Sequence, residues 1–324
     1  MLKRLSRVFF AVSLAVPTAV AIAADVYPSQ PINIVVAYPP GGSTDVAARL
    51  LAQDLSKRLN QQVVVDNRSG AAGAVGTMNV VRAAADGHTV LFASSAELTV
   101  APALRKSITY DVDRDLVPVA MVAQVPFILA VNNDLPVNSV QELVAYVKAN
   151  PGKVNYSSFG NGTSNHMVGE SLKLEANLDM EHVPYRGSAP SLQDLVGGQV
   201  QMTFDTITAL MPLIEAGRVK PLAIATAERS ALVPNLPTVA ESGFPGFTGG
   251  TWFGVMAPRG TPPEVVEKLS LAIRDSLNSP EIAEQLSQRG FIPTPRDPAG
   301  LTEQIQKESA RWKAVQEKID LQLD

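Results

Sequence analysis

The chain contains no cysteine, which excludes disulfides, thiolate catalysis and cysteine-ligated zinc or iron–sulfur sites together. Histidine is nearly as scarce, at three in 324 residues, and neither H-E-x-x-H nor a comparable ligand cluster occurs. Surplus positive charge is missing as well: 27 Lys and Arg stand against 31 Asp and Glu, a net charge of -4. Without a basic patch, counterion release cannot drive nucleic-acid binding, and a polybasic contact with anionic lipid has no basis. No apolar run reaches the roughly 20 residues of a membrane span, because the stretch from Val8 to Ala24 is broken by Ser13, Pro17 and Thr18.

What that stretch does contain is the grammar of a secretory signal peptide. Lys3, Arg4 and Arg7 precede an apolar run from Val8 to Val16, and Ala21-Ile22-Ala23 supplies the small residues of a cleavage site. Cleavage is expected after Ala23, leaving a more acidic, exported chain that inserts into no membrane. Its length suits two domains, each large enough to fold without staples.

Strand-like and helix-like segments alternate. Ile32 to Ala37 is a β-branched run, and after Pro39-Pro40-Gly41-Gly42-Ser43-Thr44 the spacing of Val46, Leu50, Leu51, Leu55 and Leu59 is helical. The unit repeats through Val63–Asp66, a glycine turn at 69–76 and the strand Thr89–Ala93. A second series starts near Phe127 and runs to Pro221–Ala225. Such alternation predicts an α/β protein with mainly parallel sheets flanked by helices. The helices expected at 264–277, 281–288 and 301–318 have no sheet of their own and are placed on the first one. The expected organisation is therefore a two-lobed, type II-like periplasmic binding protein fold. Residues 1–23 form the signal peptide, 24–124 with 227–324 form lobe one, and 125–226 form lobe two. Two chain crossings make a hinge.

Tyr38-Pro39-Pro40-Gly41-Gly42-Ser43-Thr44-Asp45 joins the end of a strand to the start of a helix. A helix start carries unpaired N–H groups and about half a positive charge, so it attracts an anion without Lys or Arg. The glycines allow close approach, and Ser43 and Thr44 add hydroxyl donors. Ser158-Phe159-Gly160-Asn161-Gly162-Thr163-Ser164 repeats the construction in the second series, ahead of a helix bearing His166. In open α/β sheets ligands lie beyond the carboxyl ends of strands, so facing lobes aim both helix starts into one cleft. A third turn at 70–76, containing Ala72, and the strand end Ser94-Ser95-Ala96 are placed beside it. Neither principal turn fits G-x-x-x-x-G-K-[ST] or G-x-G-x-x-G, which argues against nucleotides. A carboxylate or a small phosphate ester suits the donors, and no cofactor is expected.

The chain resembles the Bug receptors, the extracytoplasmic binding components of tripartite tricarboxylate transporters. The resemblance is carried by Tyr27-Pro28-Ser29-Gln30-Pro31, by Pro39-Pro40-Gly41-Gly42 with Asp45 and Arg49, and by Asn67-Arg68-Ser69-Gly70-Ala71-Ala72-Gly73. It continues through Tyr156 to Ser164 with His166, His182-Val183-Pro184-Tyr185-Arg186-Gly187, Asp194 to Val200, Phe204-Asp205, Leu236 to Gly243, and Trp252 to Pro262. It implies a receptor whose lobes close over a carboxylate held between the turns 41–45 and 158–164, with membrane permease subunits as partners and the receptor itself monomeric. Ser69 stands where the family often has proline, which affects loop stiffness.

Several residues have two readings. Asp205 accepts a ligand hydrogen bond or caps the following helix. Asp45 touches the ligand or supports its helix through the macrodipole. His166 donates to the ligand or packs. Tyr38 and Phe159 wall the cleft or the core, and Arg68 and Arg186 pair with a second carboxylate or are solvated. Ser158, His166 and Asp205 contain the side-chain types of a hydrolase triad, but no G-x-S-x-G elbow accompanies them, so no enzymatic activity is expected. A signalling receptor with the same closure remains the other binding role.

Overall fold

The computed structural model describes residues 27–105 and 107–319; the expected signal peptide lies outside them. Among the described residues ten strands occur: β1 (Ile32–Val36), β2 (Val63–Asn67), β3 (Thr89–Ser94), β4 (Leu116–Asn132), β5 (Asn155–Ser158), β6 (Glu181–Pro184), β7 (Met202–Thr206), β8 (Val219–Ile224), β9 (Gly250–Pro258) and β10 (Ile292–Arg296). The helices are α1 (Ser43–Arg58), α2 (Ala74–Val81), α3 (Ala101–Leu104), α4 (Val112–Asp115), α5 (Val140–Ala149), α6 (Ser164–Ala176), α7 (Ser188–Val196), α8 (Ile207–Glu215), α9 (Pro263–Leu277), α10 (Pro280–Ser287) and α11 (Pro298–Ile319). Among these residues no helix is long and apolar enough to cross a membrane.

The strands follow the order β2-β1-β3-β9-β4-β7-β5-β6, with β8 and β10 also pairing with β4. β1 lies parallel to β2 and β3, and β5 lies parallel to β6 and β7. These strands are the parallel halves that the alternation foretold. The centre is antiparallel, because β9 pairs with both β3 and β4. β1 carries a β-branched run with almost every residue buried, as a strand covered on both faces requires.

β4 is shared between the lobes. Its first part, Leu116 to Pro126, pairs with β9, and Phe127 to Val131 pair with β7. The changeover falls at Pro126, which has no N–H to donate. On one side, Ile34, Val36, Leu51, Phe92, Phe253 and Leu269 share a core; on the other, Phe127, Tyr156, Leu172 and Phe204 share another. Val265, Ile273 and Leu286 sit in the first of these cores, so α9 and α10 pack on the first sheet.

The segment 227–249, expected with lobe one, behaves otherwise. Val239 and Phe247 are buried in the second-lobe core, and Val233 and Leu236 pack against a further cluster there. At Gly249-Gly250 the chain passes from this core into β9, and there Phe127 N–H donates to Gly249 O at 3.3 Å.

Candidate functional site

The two glycine turns face each other across a cavity of about 340 Å³. In the first lobe, β1 ends at Val36 and α1 begins at Ser43, capped by Gly42 in an extended conformation with no side-chain cap. Gly41 has φ +88, a left-handed geometry that suits glycine. A side chain built at Gly42 meets only Pro39 O, at 4.0 Å, so the space before this backbone is open. Gly41, Gly42, Ser43 and Thr44 all line the cavity, with Tyr38, Ser94 and Ala96 beside them.

Asp45 points away from that space. Its carboxylate accepts from Gly41 N–H at 3.0 Å, Asn67 Nδ2 at 2.9 Å and Arg49 Nε at 3.0 Å, and Asn67 Nδ2 also lies 3.0 Å from Tyr38 O. Burial pushes its pKa up, but the bonds from Arg49, Gly41 and Asn67 outweigh that and leave it lowered. Asp45 therefore pins the turn from behind, the support reading.

The second-lobe turn spends most of its own donors. Gly160 N–H donates to Ser158 Oγ at 3.1 Å, Gly162 N–H to His166 Nδ1 at 3.1 Å, and Phe159 N–H to Asn165 Oδ1 at 3.3 Å. Only Thr163 and Ser164, at the start of α6, reach the cavity from this segment together with the Phe159 ring. Gly160, Asn161 and Ala72 line an adjoining chamber of about 400 Å³, which also holds Arg105 and touches Tyr38 and Arg186. Ser158, Gly162 and His166 stand behind the turn and shape it.

Behind that turn lies a histidine pair the sequence did not suggest. His166 and His182 stack with ring centroids 3.8 Å apart, and His182 Nε2 lies 2.6 Å from Ser158 Oγ. Burial lowers both, His166 to about 4 and His182 to about 3, so both rings are neutral near pH 7. Asp205 is fully buried and accepts from Ser188 Oγ at 2.6 Å and Thr206 N–H at 2.6 Å. Burial raises its pKa to about 7, against the lowering effect of those bonds. It meets the cavity only through Ser188, which lines it. Asp205 thus lies apart from the cluster of Ser158, His182 and His166, and no Asp–His–Ser relay joins them.

Sequence reasoning did not single out several other residues that line the cavity: Phe127, Leu192, Thr208, Ala209, Pro212 and Phe253, together with Ser188 and Ala189 at the start of α7. These residues are apolar or weakly polar and read as core, so no local signal marks them. The lobes touch at the cleft's edges. Ser95 Oγ lies 2.8 Å from Ser164 Oγ and 3.1 Å from Thr251 Oγ1, and Arg105 Nη2 donates to Asn161 O at 2.6 Å.

Two α/β lobes joined by a shared strand, with two helix starts aimed into an interlobe cavity, define a two-lobed binding protein. The chain belongs to the tripartite tricarboxylate transporter family receptors, whose family description matches residues 47–321. It is 41% identical over 298 residues to protein BugT of Bordetella pertussis, covering 92% of this chain and 91% of that one. Among solved structures it resembles R. palustris Rpa4515 with adipate, with a TM-score of 0.88 and 36% identity over 90% of this chain and 97% of that one. It also resembles the periplasmic binding protein BugD, with a TM-score of 0.86 and 34% identity over 91% of this chain and 99% of that one.

Proposed function

We propose that the chain is a monomeric periplasmic receptor that captures a small carboxylate between its lobes, delivers it to the membrane permease subunits of a tripartite transporter, and catalyses no reaction. In this reading residues 1–23 are removed on export, and the lobes meet at the crossings Val125-Pro126 and Gly249-Gly250. One observation carries the proposal: the starts of α1 and α6, at Ser43 and Ser164, border the same cavity. The α1 backbone beside Gly42 is unobstructed. Each start offers N–H groups and a positive dipole end, and Ser43, Thr44, Thr163 and Ser164 add hydroxyls. Binding of an anion by an acidic protein then follows from local donors. Rpa4515, solved with adipate, supports a carboxylate as the anion.

A thermal-shift panel of mono-, di- and tricarboxylates, aromatic acids, acidic amino acids and phosphate esters tests this. A ligand at 100 times its dissociation constant adds about 2.7 kcal/mol of stability. At least one free acid is expected to raise the melting temperature. A shift with phosphate esters and with no free acid contradicts the proposal.

A further inference from the structure

Two fully buried acids, Glu97 in the first lobe and Asp205 in the second, each hold the hydroxyl of a serine that lines the cavity. Glu97 Oε2 accepts from Ser94 N–H at 3.1 Å and from Ser94 Oγ, and Asp205 Oδ2 accepts from Ser188 Oγ at 2.6 Å. The other oxygen of Asp205 is bonded by Thr206 N–H at 2.6 Å, whereas Glu97 Oε1 is buried and finds no partner among the described residues. The turn 70–73 closes over Glu97 so tightly that Gly73 has no room for a side chain.

Neither acid forms an ion pair among the described residues. Glu97 stands near Tyr38 and Tyr110, both pushed up by burial and neutral, and Arg105 acts electrostatically on these tyrosines. Tyr110 donates to the backbone carbonyl of Glu97 at 2.7 Å, and Glu308 on α11 accepts from Trp252 Nε1. The side chains that bond Asp205, Ser188 and Thr206, are uncharged, and Arg186, two residues before Ser188, is exposed.

A buried carboxylate without a cation is costly, and more so with an unpartnered oxygen; the neutral acid avoids most of that cost. Burial accordingly raises both acids to about 7. An anion in the cavity adds a like charge nearby in a poorly screening interior, which raises them further. Protonation also changes what Ser94 offers. Beside an ionised Glu97 its hydrogen is committed to the acid, and its oxygen already accepts from Ala96 N–H at 3.2 Å. A protonated Glu97 donates to that oxygen and frees the Ser94 hydrogen for another acceptor.

We propose that Glu97 and Asp205 are positioning residues that take up a proton from solvent as the anion binds, so that the receptor captures a carboxylate together with a proton. This rests on the carboxylate reading above and adds a second bound species to it.

Calorimetry on the purified receptor tests it, with benzoate, phenylacetate, malate and adipate as probes in buffers of differing ionisation enthalpy. These acids are ionised above about pH 6.5, so any proton taken up in that range goes to the protein. For the tightest binder, uptake is expected to rise between about pH 6.5 and 8.5, with affinity falling about tenfold over the same window. Glu97→Gln and Asp205→Asn carry fixed neutral groups; each is expected to reduce the uptake and flatten the profile, and the double variant to remove both effects. Damage to packing alone would weaken binding equally at every pH. Should one variant misfold, the other and the proton count on the unaltered receptor still decide. A flat affinity with no uptake overturns the inference, as does an uptake unchanged in both variants, which would assign the proton to another group such as Glu308. Either result leaves the carboxylate reading standing. No binding by these probes or by any free acid of the thermal-shift panel overturns both.

Discussion

Gly42 carries the most local form of the binding argument. Its φ of -77 is open to any residue, and a side chain there meets nothing closer than 4.0 Å, so Gly42→Val should fold while placing a branched group in the cavity proposed for the ligand. The expected cost in stability is about 1 kcal/mol, from a poorer N-cap. Asp45→Asn tests the support behind the turn. Losing the charged bonds to Arg49 and Gly41 N–H should cost about 1–3 kcal/mol by chemical denaturation, with weaker ligand binding as the turn loosens. Asp205 supplies a pH signature. Its folded pKa of about 7 lies above the unfolded value, so between about pH 4 and 7 the folded state holds the extra proton and stability from this group falls as pH rises. Relative to wild type, Asp205→Asn should therefore gain stability as pH is raised through that window; melting curves at pH 4.5 and 7.5 would show it, and a constant difference would count against it. At this scale the sequence was legible where backbone chemistry dominates, as in the turn 41–44. It was not legible where function depends on which way a side chain points. Asp45, Ser158, His166 and Asp205 all lie near loops that border the cavity, yet each faces into the scaffold, and only long-range partners such as Asn67, His182 and Ser188 determine that.

Among elements, helices and the parallel strands announced themselves through periodicity, and the antiparallel centre did not. β4 has seventeen residues and is buried along almost its whole length, so it carries no alternation to show that two lobes share it. β10 was missed because Ile292-Pro293-Thr294-Pro295-Arg296 reads as a loop; it is a partly exposed strand paired with β4 on one side, the setting in which strand prolines are tolerated. The segment 227–249 has no helix or strand of its own, and its few apolar anchors, such as Val239 and Phe247, do not say which core they join. α11 does more than cap a sheet. Trp312, 1% exposed, packs with Val100, Leu104 and Met167, the last of these on α6 in the other lobe. Trp312→Ala should cost about 3–5 kcal/mol of stability in denaturant titrations. A loss under 1 kcal/mol would mean that α11 contributes little to holding α6.

For the whole molecule, ligand capture is a difference in affinity between two lobe arrangements. The bonds Ser95 to Ser164 and Arg105 to Asn161 cross between lobes beside the cleft, so they stabilise the arrangement in which both helix starts border one cavity. The most direct measurement is calorimetry with the tightest-binding acid and its methyl ester, on the unaltered receptor and on Gly42→Val. The ester keeps the body of the ligand and removes the anionic charge. Capture by the helix starts predicts binding of the acid, loss of at least about a hundredfold for the ester, as expected when charge-assisted bonds disappear, and a comparable loss for the acid on Gly42→Val. Equal affinity for acid and ester, or an unchanged affinity in the variant, would contradict capture by the helix starts.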